Sequence, residues 1–228
     1  VSLTETRPFH GADQLREANH RIANHLTLLV GMVQTQARSL SKGPATLSRD
    51  AARAMLQETA GKIVSVSHLH RRLAEQSHSA FVDLGDYLIG VGSALVSSLS
   101  LGHRVSLVQR LTTDGRVTPE QAQQIGLLVS EIIMNAVKHA HPTGIPVQIS
   151  LGCRRDEEGR LVVEIGDDGV GLPEDFDIAS NGGVGFRLIR SLVQGLRADL
   201  RIESDPLGLS FLVTLPLPAE QIASAAAR

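Results

Sequence analysis

From about Ala12 to Leu40 the apolar residues Leu15, Ala18, Ile22, Leu26, Leu29, Val33 and Leu40 recur at near-heptad spacing, which predicts a long amphipathic helix. SKGPATLS, Ser41 to Ser48, carries Gly43 and Pro44 and reads as a turn. A second long helix follows to about Gln76, with Leu56, Ile63, Val66, Leu69 and Leu73 inward. Two such helices joined by a short loop make an antiparallel hairpin, which has one partner face and buries it poorly alone. Pairing two copies into a four-helix bundle removes that defect, so a homodimer is expected. Residues 1–11 lack periodicity and read as a tether. The polar stretch EQSHSAF breaks the helical pattern around Ser77 to Ala80, and the domain boundary is expected there.

The second half mixes periods. Asp83 to Ser98 reads as a helix, in spite of Gly85, Gly90 and Gly92. Arg104 to Leu111 alternates and reads as a strand. Thr118 is placed to cap a helix with Pro119 at its first position, and Pro142 stops that helix. Val147, Ile149 and Leu151 alternate, DEEG turns at Asp156 to Gly159, and Leu161, Val163 and Ile165 return: a hairpin. A helix from about Val184 to Gly195 precedes two strands, Leu200 to Glu203 and Leu209 to Leu215, joined by a DPLG turn. This order predicts an α+β sandwich, with helices on one face of a mixed sheet. The expected organisation is a helical hairpin domain over residues 1–79, the sandwich over 80–218 and a tail over 219–228.

Composition narrows the partners. The 228 residues carry a formal net charge of −2, aromatics make up 3% and Trp is absent. There is no polybasic field and no stacking surface, so nucleic acid is not the expected ligand. The single cysteine, Cys153, cannot form an internal disulfide and reads as a small buried hydrophobe, compatible with a reducing compartment. The longest uncharged run, Tyr87 to Gly102, falls short of the roughly 20 apolar residues of a membrane span, and no signal-peptide pattern is visible. A soluble cytoplasmic protein is expected.

Three stretches carry candidate chemistry. In LLVSEIIMNAVKHAHP, Leu127 to Pro142, an apolar stripe runs through Ile125, Leu128, Val129, Ile132, Ile133, Ala136 and Val137. Glu131, Asn135 and Lys138 fall within about 60° of arc on the other side, with His139 at the margin. IGDDGVGLP places Asp167 at a strand end, able to accept from an exocyclic amine, beside Gly169 and Gly171, which permit close backbone approach. NGGVGFRLI puts Gly182, Gly183 and Gly185 at a helix start, where free amides and the helix dipole favour phosphate oxygens. Each alone is weak, since an acidic turn or a glycine pair is common.

Together and in this order they closely resemble the N box and two glycine boxes of the histidine-kinase branch of the ATPase superfamily that includes gyrase and the mismatch-repair ATPases. The resemblance covers essentially all of Phe81 to Pro218 and implies a left-handed βαβ, Bergerat-type ATP sandwich. It assigns Asn135 to Mg²⁺, Lys138 and His139 to the nucleotide phosphates, and Asp167 to the adenine amine. Gly169 and Gly171 would shape the adenine pocket, and Gly183 and Gly185 would let lid and helix approach the phosphates. Glu131 matches the acid that polarises the attacking group. The loop between Leu172 and Gly182, about ten residues, is shorter than the family's usual lid and lacks its phenylalanine-bearing segment. The gyrase-like relatives carry a following transducer domain, and the chain ends about ten residues after its last expected strand, which disfavours them.

His20 lies roughly 160° around the helix wheel from the stripe of Ile22, Leu26, Leu29 and Val33, with Asn24 a turn later on the same outward side. EANHRIANHLTLL, Glu17 to Leu29, resembles the phosphoacceptor segment of the HWE and closely related histidine kinases, matching at Asn19, His20, Arg21, Asn24 and Leu26. Ala23 stands where the subgroup usually has Lys, and the ATP domain lacks the tryptophan of the strict HWE signature, so the match is to the wider subgroup. The resemblance makes His20 the phosphorylated residue in preference to His25, His68 or His70. Arg21 stands where conventional histidine kinases carry an acid, which leaves Glu131 or Glu17 as base. The implied activity is Mg-ATP-dependent autophosphorylation of His20 and transfer to an aspartate on a response-regulator receiver domain. Two alternatives remain: a non-catalytic phosphorelay protein with an ATP-domain remnant, and a serine kinase of the anti-sigma type.

Overall fold

Val82–Asp83 (β1) leads directly into helix α1 (Leu84–Ser98), whose first turn is fixed by the Asp86 N–H donating to Asp83 Oδ1 at 3.0 Å. These coordinates come from a computed structural model. It describes residues 81–98, 105–111, 115–141, 144–173, 175–176 and 184–216, with scattered helical positions between residues 30 and 63. Strand β2 (Val105–Leu111) is followed by the short β3 (Arg116–Val117), which pairs antiparallel with β1 through Val82 and Val117. Neither two-residue strand was expected from the alternation, which needs about four residues to be read.

Helix α2 (Pro119–His139) begins with a capping box. The Gln121 N–H donates to Thr118 Oγ1 at 3.2 Å, and the Thr118 N–H donates to Gln121 Oε1 at 3.0 Å. Its apolar stripe is buried, with Ile125, Leu128 and Ile133 fully enclosed. Then come β4 (Val147–Arg155), β5 (Leu161–Asp167), α3 (Val184–Leu196), β6 (Asp199–Asp205) and β7 (Gly208–Leu215). The DEEG turn forms as expected: Asp156 accepts from the Arg160 N–H and Nε, each at 2.8 Å, and Gly159 takes φ +80°.

The five-stranded sheet runs β2-β4-β5-β7-β6, with β2 parallel to β4 and every other pair antiparallel. Register sets its two faces apart. Ile149, Leu151, Cys153, Val163, Ile165, Phe211 and Val213 are buried, while Gln148, Ser150, Arg154 and Arg201 alternate outward into solvent. The three helices cover the apolar face, α1 against β2 and α2, and α3 against α2. The fold is therefore a helical N-terminal part followed by an α+β sandwich on a mixed sheet, as expected.

By its internal contacts the chain divides into Val1–Thr59 and Ala60–Arg228. In the first unit the described residues of both expected helices are helical, and the Ala52 N–H donates to the Ser48 carbonyl at 2.9 Å, one turn into the second. Val33 and Leu56, expected to face inward, are 45% and 72% exposed. Ile63 is also exposed. His20, Gly183, the boundary near residues 77–80 and the tail lie outside the described residues.

Candidate active site

The site is built where the start of α3 meets the middle of α2. A Cβ added at Gly185 would lie 2.6 Å from Glu131 Oε1 and 3.2 and 3.3 Å from the two ends of the Asn135 carboxamide. Only a residue without a side chain lets α3 approach this closely. The second glycine stretch and the polar face of α2, some fifty residues apart in sequence, thus share one contact. This corrects the reading of Glu131. The sequence places it on the open side of its helix, but it is buried at 4% exposure, because α3 packs over that side.

Asn135 is the second residue at this junction. Its Nδ2 is buried and has no hydrogen-bond partner among the described residues. A buried donor left unpaired costs about 1–3 kcal/mol, so an acceptor supplied from outside the chain would be favoured there. A carboxamide suits the phosphate end of a magnesium nucleotide: its oxygen is a hard ligand for Mg²⁺ and its NH₂ donates to anionic oxygens. Among the described residues no cluster of three or more His, Cys, Asp or Glu could hold a metal. Lys138 and His139 lie exposed in the last turn of α2, one turn beyond Asn135.

The loop after β5 forms the other end. Asp167 Oδ1 accepts the Gly169 N–H at 2.9 Å, and the Leu209 N–H also donates to this carboxylate. Part burial raises the Asp167 pKa above the usual carboxylate range; the two amides and His141 pull it down, and the neighbouring Asp168 pushes it up. A carboxylate offers about four acceptor positions, so capacity remains for a further donor. Gly169 lies flat on the end of α2, since a Cβ there would be 2.5 Å from Ala140 Cα, and the Val170 N–H bonds to the Ala140 carbonyl at 3.0 Å. Gly171, at φ +70°, leaves no room for a Cβ beside the Asp205 carbonyl, and the Leu172 N–H donates to Ser204 Oγ at 2.7 Å. The loop is thereby fastened to α2 on one side and to the β6–β7 turn on the other.

Sequence reasoning missed two features. Phe176, inside the short loop, packs tilted on Phe186 of α3 with centroids 5.7 Å apart, and Phe186 in turn packs on the buried Phe211 at 6.0 Å. This ties the segment after the loop to α3 and the sheet. His141, just past α2, and Asp168 are hydrogen-bonded, Nε2 to Oδ1, at 3.0 Å. Both are visible as residue types, but nothing in their spacing announces that they meet.

This fold and this junction define an ATP-binding domain of the histidine-kinase and gyrase type. Residues 120–219 match the family of histidine kinase-, DNA gyrase B- and HSP90-like ATPases, and residues 17–99 match a histidine kinase family. A blue-light-activated histidine kinase of Erythrobacter litoralis is 34% identical over 91% of this chain, which covers 58% of that protein. The sensor histidine kinase PdtaS of Mycobacterium tuberculosis is 25% identical over 78% of the chain, covering 34% of its own length. The solved histidine kinase domain of a blue-light-activated kinase from Erythrobacter litoralis superposes with a TM-score of 0.67 at 28% identity, over 90% of this chain and 94% of that one. The chain belongs to the histidine kinase family, in its HWE-type group. It spans about three fifths of the first of these relatives and a third of the second.

Proposed function

We propose that the chain uses Mg-ATP to phosphorylate His20 and then passes the phosphoryl group to an aspartate on a response-regulator receiver domain. The observation that carries this reading is the contact of Gly185 with Glu131 and Asn135, which joins a helix N-terminus, a carboxylate and an unpaired amide at one point. Asn135 supplies the protein oxygen for Mg²⁺, and Lys138 and His139 carry the phosphates together with the amides after Gly183. Asp167 accepts from the adenine amine, with Gly169 and Gly171 keeping the base pocket open. Bound Mg²⁺ supplies charge neutralisation at the phosphates. In the transfer, a His20 ring nitrogen forms a bond to the γ-phosphorus, the bond from that phosphorus to the β,γ-bridging oxygen breaks, and ADP leaves. The proton released from the imidazole goes to Glu131 or Glu17. Such a reaction needs mainly in-line positioning and electrostatic stabilisation.

Residues 1–79 act in this reading as the dimerising phosphoacceptor hairpin, and residues 80–218 as the catalytic domain. The exposure of Val30, Val33, Leu56 and Ile63 supports pairing of two copies, since isolated apolar stripes of this kind are covered in bundles. Sedimentation at the mass of a dimer is the expected outcome. Among the described residues no helix is long and apolar enough to cross a membrane, and a place in the cytoplasm is part of this reading.

The reading is tested with γ-labelled ATP and Mg²⁺. Acid-labile, alkali-stable label is expected on the purified chain, absent from His20→Ala although that variant still binds nucleotide, and absent with binding from Asn135→Ala. Label mapped to another residue overturns the His20 assignment. Labelling retained in Asn135→Ala overturns the metal assignment. Acid-stable label on a partner protein favours a serine kinase, and nucleotide-independent transfer alone favours a relay.

A further inference from the structure

We propose that the hydrogen-bonded pair of His141 and Asp168 is a positioning device that sets how strictly Asp167 selects adenine over other bases. The inference rests on the reading of Asp167 as the residue that meets the base.

Asp168 is the joint of the loop. Its Oδ1 accepts the Gln148 N–H at 2.9 Å and stands 3.0 Å from His141 Nε2, while its own N–H donates to the Gln148 carbonyl at 3.2 Å. One residue therefore fastens the loop to the start of β4 and to the segment leaving α2. The pair is sheltered on the histidine side, with the His141 side chain 13% exposed against 49% for Asp168. A partly desolvated imidazole holds its geometry better than a freely solvated ion pair, which contributes little. Asp167 is the very next residue, and its carboxylate is held by the Gly169 and Leu209 amides. The pair adds a side-chain tie to the backbone bonds that already join this peptide to β4 and β7, and it links the peptide to the segment leaving α2.

The chemistry at stake is base selection. A carboxylate acceptor suits the exocyclic amine of adenine and opposes the carbonyl oxygen that guanine presents at the same ring position. That preference depends on the carboxylate staying where the amine arrives. A loosened Asp167 would lose affinity for the matched base and regain little for the mismatched one. His141 touches no base in this scheme and acts through Asp168 on Asp167.

The test measures dissociation constants of Mg-ATP and Mg-GTP on the full chain, by displacement of a fluorescent ATP analogue, with melting temperatures recorded alongside. His141→Leu is expected to weaken ATP about three- to ten-fold, the scale of one charge-assisted hydrogen bond, and to leave GTP within about two-fold. His141→Gln, which keeps an N–H to donate to Asp168, is expected to restore most of the preference. Asp167→Asn should erase the preference entirely. If Asp167→Asn erases it and His141→Leu leaves it intact, the positioning role is overturned and the base reading survives. If His141→Leu weakens both nucleotides equally, the pair is merely structural and the proposal fails. If Asp167→Asn leaves the preference unchanged, the base reading itself falls and the proposal with it.

Discussion

One methyl group at residue 185 separates two arrangements of this site. Gly185→Ala would gain about 1 kcal/mol of helix propensity, but its Cβ would press on the buried Glu131 carboxylate at 2.6 Å. Overpacking against a buried group costs about 1–3 kcal/mol and moves α3 away from Asn135, so the clash outweighs the gain. A lower melting temperature and at least tenfold weaker nucleotide binding are expected, measured by calorimetric melts and titration. Asp167 works in the opposite sense. Its raised pKa means that the folded chain holds a proton there more tightly than the unfolded one, so its charge weakens the fold above the folded pKa, and that cost disappears as pH falls through it. Asp167→Asn should leave the nucleotide-free melting temperature at neutral pH unchanged or higher while ATP binding falls about ten- to a hundredfold. Nucleotide affinity of the unaltered chain should fall on acidification at a pH above that of an ordinary carboxylate. Asp167, Asn135 and the glycines are readable from sequence because their spacing is local and bound to a strand end or a helix start. His141 and Asp168 are not, since their contact spans 27 residues and leaves no period in the chain.

For whole elements, legibility follows length. Helix α2 was readable down to its cap, because Thr118, Pro119 and Gln121 each do a separate physical task at fixed offsets. Thr118→Ala should remove one side-chain acceptor and free Gln121, lowering stability by about 1 kcal/mol in denaturant titration with nucleotide affinity within twofold, since the cap lies at the opposite end of α2 from Lys138. Strands β1 and β3 were invisible at two residues each, yet they close the sheet of one small antiparallel pair ahead of α2. A helical wheel treats one helix at a time. It located Glu131 and Asn135 on one side of α2 and could not foresee that α3 would cover that side, because what covers a polar face is decided by tertiary packing.

On the scale of the molecule, the order of modules was legible and their meeting was not: amphipathic periodicity identifies a hairpin and a sandwich but carries no distance between His20 and the nucleotide. Ligand linkage offers a test of the assembled site. At a hundredfold excess over its dissociation constant, Mg-ATP should stabilise the chain by about 2.7 kcal/mol, and Asn135→Ala should abolish that gain. Thermal melts with and without nucleotide measure it. The bond from the Val170 amide to the Ala140 carbonyl reaches further still. It makes the loop after β5 the stopper on the last turn of α2, the turn that carries Lys138 and His139. On the proposed function, a small molecule held only by the loop around Asp167 would therefore stiffen that turn too, so that fragments without a phosphate would block phosphorylation by freezing a turn they never touch.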